Sequence, residues 1–268
     1  LTIKLGIIGG GVMAEALLSR LVGNGLYAPE TVIVSEPQGQ RRDWLGQQYG
    51  LQITENNRLP LAATEAVFLA IKPQHLPDVV EGLGGAVPQP QTLMLSILAG
   101  VSLRQLEEAF PNLPMIRAMP NTPATVGAGM TAIALGQWVQ PNHRELALRL
   151  FQAVGEVVEV PETLMDAVTA LSGSGPGYIA VLIEALTDGG VAVGLPRSTA
   201  SKLALQTVRG TAQLLQSTGM HPAELKDRVT SPAGTTITGI ASLEQAGFRS
   251  AIIEAVQAAC RRSQELGE

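Results

Sequence analysis

The sequence predicts an α/β fold up to about residue 160 and an all-α second part, on three observations. Short apolar runs alternate with helical stretches through the first part of the chain. Those runs are nearly unbroken in Val, Ile, Leu and Ala, as in strands of a parallel sheet covered on both faces. Around Pro161 the texture changes, and beyond it only helical patterning is found. The expected domains are therefore residues 1–161 and 162–268.

The first apolar run, Leu5–Ile8, leads into Gly9-Gly-Gly-Val-Met-Ala14 and a helix over 12–24. Gly9, Gly11 and Ala14 fit the G-x-G-x-x-G/A dinucleotide fingerprint, and each position has a physical reason. The first glycine permits the tight turn, and the second keeps side chains off a pyrophosphate. The small third residue lets the helix pack close to its strand. The helix N-terminus then presents free N–H groups and a positive dipole end to phosphates. This strand–turn–helix opening predicts a Rossmann-like dinucleotide-binding domain. Further strands are expected at Thr31–Ser35, Leu51–Ile53, Val67–Ile71, Thr92–Ile97, Met115–Met119, Met130–Leu135 and Val157–Val160. Helices are expected near 38–49, 74–83, 102–110 and 142–154.

Ligands on such sheets bind beyond the carboxyl ends of the strands, so the residues that follow each run carry the chemistry. Ser35-Glu36-Pro37 follows the second run, with Arg41 and Arg42 beyond it. Glu36 stands roughly 20 residues past the glycines, where an acid holds the ribose hydroxyls of NAD. The serine and the arginines suit the 2′-phosphate of NADP instead, unless the arginines are simply a solvated helix face, and these readings stay open. Lys72, before Pro73, is either a surface lysine or a contact to a cofactor phosphate or ribose. Leu98-Ala-Gly-Val-Ser102 is small enough to lie against a nicotinamide ring, and Ser102 reads as a helix N-cap. Arg117-Ala-Met-Pro-Asn-Thr-Pro123 is a proline-stiffened loop with one polar side chain, Asn121.

In the second part, Tyr178–Leu186 is apolar nearly all the way round, so a partner subunit is the expected cover. Helices follow at 197–217, from His221-Pro222, at 235–246 and at 249–266. Two loops of small residues lead into helices, Ser172–Tyr178 and Val229–Thr236. Each can offer backbone N–H groups to a carboxylate or serve as ordinary capping.

A net charge of −5 argues against a general nucleic-acid surface. No run approaches the ~20 apolar residues of a membrane span. The single cysteine, Cys260, fits a reducing compartment, and the start of the chain has no signal-peptide character, so a cytoplasmic location is expected. His75, His143 and His221 lie far apart with no metal-ligand spacing, and His143 reads as a surface residue. A reaction here is expected to use neither a metal nor a strong nucleophile.

The runs Asp166-Ala-Val-Thr-Ala-Leu-Ser-Gly-Ser-Gly-Pro-Gly-Tyr178, Asp188-Gly-Gly-Val, Gly194-Leu-Pro196 and Lys226-Asp-Arg-Val-Thr-Ser-Pro-Ala-Gly-Thr-Thr236, with 117–123, resemble those of pyrroline-5-carboxylate reductase, the family that closes proline biosynthesis. The resemblance spans essentially the whole chain. It implies an N-terminal Rossmann domain and an all-α C-terminal dimerisation domain that interlocks with a second subunit. The partners it implies are a homodimer, assembled in many members into a decamer of five dimers, and the substrate 1-pyrroline-5-carboxylate. The cofactor it implies is NADPH, with NADH as the alternative. Gly9, Gly10, Gly11, Val12, Met13 and Ala14 match the pyrophosphate turn, and Ser35 a contact to the adenosine ribose or its phosphate. Asn57, Ala70, Lys72 and Ala99 match further cofactor contacts. Glu162, Ser231, Pro232, Ala233, Gly234, Thr235 and Thr236 match the substrate side, with Thr236 the expected catalytic group and its loop supplied by the partner subunit. Ala233 and Gly177 stand where the family more often has Gly and Ala, exchanges expected to be tolerated sterically. The 35–37 run lacks the basic residue that some NADP-preferring members carry after the strand. A hydroxy-acid reductase is disfavoured, because residues 172–186 hold no lysine to act as its acid.

Overall fold

The computed structural model describes residues 2–267. Eight strands form one sheet: β1 (Leu5–Ile8), β2 (Val32–Ser35), β3 (Gln52–Thr54), β4 (Ala66–Leu69), β5 (Leu93–Ser96), β6 (Met115–Met119), β7 (Gly129–Leu135) and β8 (Gly155–Glu159), ordered β3-β2-β1-β4-β5-β6-β7-β8. Between them run α1 (Val12–Gly23), α2 (Gly39–Tyr49), α3 (Leu76–Leu83), α4 (Leu103–Ala109) and α5 (Pro141–Gln152). Side chains alternate across the pleat, so each strand serves two cores. Leu5, Ile7, Phe68 and Leu95 pack with Leu17, Leu21, Leu45 and Phe151 on one face. Ile8, Val67, Leu69 and Met94 pack with Leu76, Leu83 and Leu106 on the other. Each such side chain contributes about 1.5–3 kcal/mol on burial. Phe68 and Phe151 meet edge to face, with centroids 5.7 Å apart.

The sheet departs from the all-parallel expectation at one junction. β7 pairs antiparallel to β6, with Ile116 opposite Leu135, and β8 then runs parallel to β7. The short Pro120–Ala128 link is the cause, since a parallel crossover needs a dozen or more residues, usually including a helix. His143 also departs from its expected surface position. It is buried at the start of α5, where Nδ1 accepts from Gln140 N–H (3.1 Å) and Nε2 faces Gln91 O at 3.1 Å. Accepting at Nδ1 leaves the proton on Nε2, which donates to that carbonyl.

The rest of the chain is helical: α6 (Met165–Val168), a π-helical turn over Thr169–Gly173, α7 (Gly175–Ala192), α8 (Arg197–Thr218), α9 (Pro222–Arg228), α10 (Thr235–Gln245) and α11 (Phe248–Gly267). The described chain divides into two compact units. One holds the sheet, continues to Ser174 and includes the end of α11 from Ala259; the other is Gly175–Ala258. In the second unit Gly194, with φ +100°, ends the turn after α7, and Pro196 caps the start of α8. Among the described residues, α7 to α10 bury only Thr187, Ala200 and Ala204. Val181 is 65% and Leu205 57% exposed. No described helix is long and apolar enough to cross a membrane.

Candidate active site

The strand order reverses between β1 and β4, and there the chain turns at Gly9. In sheets of this kind ligands bind at such a switch point. Gly9 has φ +101°, and a Cβ on it would lie 2.6 Å from Ala70 O, so only glycine fits between these strand ends. Gly11 forms the N-cap of α1 with no side-chain cap, and a Cβ there would meet nothing within 4 Å. An uncapped helix start facing open space is what a pyrophosphate requires. Val12 is exposed beside it, Met13 half-buried, and Ala14 buried against the sheet. These residues fit a dinucleotide.

The second strand end is more committed than its sequence suggested. Ser35 is fully buried, and its hydroxyl faces Ile7 O at 3.5 Å, so its side chain is turned into the sheet. Glu36 stands next to the turn instead. Its Oε2 accepts from Gly10 N–H and its Oε1 from Gln38 N–H, both at 2.9 Å. The two arginines are not a solvated face. Arg41 donates to Gly10 O (2.8 Å), pairs with Glu15 and lies 4.7 Å over the Trp44 ring. Arg42 donates to Glu36 O (2.9 Å) and Pro37 O (2.7 Å), and sits 3.4 Å from Glu55.

Two cavities open at the carboxyl ends of the strands. One, of about 300 Å³, is lined by Gly9, Pro37, Glu55, Asn57, Ile71, His75, Asp78 and Val79. It contains the expected Asn57; Glu55, His75 and Asp78 were not anticipated, although the rule of reading just past each strand covers Glu55. Ala70 and Lys72 flank Ile71 after β4, with Lys72 exposed. The other cavity, of about 610 Å³, lies past β4 and β5 along Pro73, Gln74, Ala99, Gly100 and Val101. Gln105, Thr169, Ser174, Arg262 and Ser263 complete much of its wall, and sequence reasoning had not linked the last helix to it. Ser102 caps α4 as expected: its Oγ accepts from Gln105 N–H at 3.2 Å, while Gln105 Oε1 accepts from Ser102 N–H at 2.8 Å.

Glu162 lies in a polar clamp of the sheet-bearing unit. Its Oε1 accepts from Leu103 N–H and from Arg117 Nη1 (3.1 Å), whose guanidinium is buried on β6. Asn121 has a similar structural part: Oδ1 accepts from Met130 N–H (2.9 Å), and Nδ2 donates to Ser172 O (3.0 Å) in the π-helical turn.

The Ser231–Thr236 segment lies in the other unit. Gly234 N–H donates to Ser231 O (3.0 Å), and a Cβ at Gly234 would strike Ser231 Oγ. Thr238 N–H is the first of α10 to find an intrahelical carbonyl, that of Gly234. Pro232 has no N–H; the N–H groups of Thr235, Thr236 and Ile237 find no intrahelical carbonyl, and Thr235 and Thr236 are exposed. Ala233 has φ +56°, the left-handed region that glycine favours. Its steric tolerance therefore carries a backbone strain that the sequence did not disclose. Among the described residues no group of three His, Cys, Asp or Glu side chains could hold a metal.

Sheet order and glycine turn together define a dinucleotide-binding protein. Residues 162–266 match the family model described as pyrroline-5-carboxylate reductase dimerisation, and residues 4–100 match that of NADP oxidoreductase, coenzyme F420-dependent. A pyrroline-5-carboxylate reductase of Synechocystis sp. is 59% identical over 268 residues, covering all of both chains. One from Methanosarcina acetivorans is 44% identical, covering 99% of this chain and 98% of its own. The solved structure of the Coxiella burnetii enzyme superposes with a TM-score of 0.92 at 34% identity over all of both chains. The Plasmodium falciparum enzyme, solved with NADP bound, gives 0.89 at 30% identity, covering 99% of this chain and 98% of its own. This chain belongs to the pyrroline-5-carboxylate reductase family.

Proposed function

We propose that the chain reduces 1-pyrroline-5-carboxylate to L-proline, the last step of proline biosynthesis, with NADPH as reductant and NADH as the alternative. The observation that carries this reading is kinship over the whole length, through both the glycine turn and the Ser231–Thr236 loop. Gly9 to Ala14 hold the pyrophosphate. Asn57, Ala70, Lys72 and Ala99 make further contacts to the cofactor. Because Ser35 points into the sheet, any contact it makes is through its backbone. The bound reduced nicotinamide supplies a hydride, which goes to the imine carbon of the substrate.

The imine is already electrophilic, so positioning supplies most of the remaining catalysis. The N–H groups of Thr235 and Thr236, at the start of α10, hold the substrate carboxylate. Thr236 Oγ1 hydrogen-bonds the ring nitrogen and passes it a proton from solvent. Glu162 acts as a positioning residue through Arg117 and the start of α4. The chain works as a cytoplasmic homodimer, associated further into a decamer, and the uncovered faces of α7 and α8 support the dimer. Initial rates with pyrroline-5-carboxylate and each reduced nucleotide in turn test the proposal. Proline formed with at least one of them is the expected result, and nucleotide binding without turnover would defeat it.

A further inference from the structure

The helical run beside the larger cavity is interrupted after α6, and the interruption has a cause in the sequence. In an unbroken α-helix Ser172 O would accept from the N–H of residue 176. That residue is Pro176, which has no N–H and whose ring would crowd the same carbonyl. The chain instead forms the π-helical turn over Thr169–Gly173, closed by Ser174 N–H donating to Thr169 O (2.8 Å). Ser172 O then accepts from Asn121 Nδ2 at 3.0 Å.

Asn121 is itself fixed at its other end. Its Oδ1 accepts from Met130 N–H (2.9 Å) near the start of β7, so one amide ties the exit of β6, the sheet and the π-helical turn together. The turn also packs on the end of β6, where a Cβ at Gly173 would lie 2.8 Å from Met119 Cε. The hydroxyls of Thr169 and Ser172 bond back to Met165 O (2.8 Å) and Val168 O (3.1 Å), so neither ties the turn to the sheet. Thr169, which opens the turn, and Ser174, which follows it, line the larger cavity together with Ala99 and Gly100.

We propose that Asn121 is a positioning residue for hydride transfer: by taking the carbonyl that Pro176 leaves free, it holds the π-helical turn and sets the cavity wall at Thr169 and Ser174 against the nicotinamide ring. The proposal rests on the reductase reading above, with that ring lying along Ala99 and Gly100. Asn121 acts through this wall and not by contact with the reacting atoms. A misplacement of about 1 Å near the reacting atoms can cost about 100-fold in rate, so a single amide can carry a large effect.

The test is steady-state and single-turnover kinetics on the whole enzyme as wild type, Asn121→Asp and Pro176→Ala, with nucleotide Kd and urea midpoints measured beside them. Asn121→Asp keeps an acceptor for Met130 N–H and sets an oxygen against Ser172 O in place of the donor. Its kcat is expected to fall about 10- to 100-fold, while Kd for the reduced nucleotide stays within about 3-fold of wild type. The isotope effect on kcat, from nucleotide deuterated at the transferred hydrogen, should rise as hydride transfer becomes limiting. Pro176→Ala serves as the second arm should Asn121→Asp fold poorly. It gives Ser172 O an N–H of its own, so the ladder can close as an α-helix without Asn121. There kcat is expected to fall roughly 10-fold while the urea midpoint holds or rises, a split that a merely structural residue does not produce. Wild-type kcat in either folded variant overturns the proposal, as does a loss of kcat that only tracks weaker nucleotide binding and a lower midpoint. A wild type that binds nucleotide and forms no proline defeats the reductase reading instead, a separate result.

Discussion

Ser263 Oγ donates a hydrogen bond to Asp166 Oδ1 at 2.7 Å, joining residues 97 positions apart. It anchors the last helix to α6 beside the larger cavity, and Ser263 is buried there. A hydrogen bond to a carboxylate contributes about 1.5–3 kcal/mol when buried, and less where Asp166 meets solvent. Ser263→Ala is therefore expected to lower unfolding stability by roughly 1–2 kcal/mol, read as a shifted midpoint in urea. An unchanged midpoint would mean that apolar packing alone holds the helix.

Thr236→Val keeps the shape of the side chain and removes the hydroxyl. On the proposed mechanism kcat/KM for pyrroline-5-carboxylate falls about 10-fold or more, the scale of one lost polar contact. Steady-state kinetics that match the wild type would remove the hydroxyl from the mechanism.

Ala233→Gly relieves a left-handed backbone at φ +56°. An L-residue there costs about 1–2 kcal/mol, part of which the greater freedom of unfolded glycine cancels. A net gain of roughly 0.5–1 kcal/mol is expected in thermal or chemical denaturation. A loss of stability would show that the alanine methyl is held by favourable packing.

Tyr27 brings a pH dependence. Burial, and then the hydrogen bond from its hydroxyl to Glu65 Oε2 (2.9 Å), raise its pKa well above the usual phenol value. The folded chain therefore keeps this proton after the unfolded chain has lost it. The contribution is intact below about pH 10 and declines as pH rises through the alkaline range toward the raised folded pKa. Tyr27→Phe is expected to flatten that alkaline decline while losing about 1 kcal/mol near neutrality with the hydrogen bond. Denaturation midpoints taken near neutrality and above about pH 10 distinguish this from a pH-independent effect.

Charge on the uncovered helical faces is expected to break the dimer. Val181→Glu and Leu205→Glu replace side chains that lie open in the single chain. Sedimentation should then report a smaller species, whereas unchanged mass would place the interface elsewhere.

Much of this molecule was legible in its residues because the physics was local. Phe68 and Val67 alternate across a pleat, Ser102 and Gln105 form a capping box, and Gly194-Leu-Pro196 punctuates two helices. The reversal of β7 was not legible in composition, since a strand buried on both faces reads alike in either direction; only the length of Pro120–Ala128 hinted at it. His143 followed a proline and an asparagine and looked like surface, but Gln91, 52 positions earlier, supplies the carbonyl that receives it. The pairing of Gly10 with Glu36 depends on strand register over 26 positions. Thr236 drew notice through the company of its neighbouring motif residues, and no local rule gives it a chemical role.

The sparse burial in α7 to α10 has a consequence for the life of the chain. Helices that cover only Thr187, Ala200 and Ala204 by themselves leave most of their hydrophobic gain to be realised on association. For the proposed dimer, completing the fold is a second-order event, and stability rises with the concentration of protomers. Dilution becomes a denaturant alongside heat and urea. A cell that makes few copies would hold a larger share of unfinished chains with open helices, exposed to proteases while they wait for a mate.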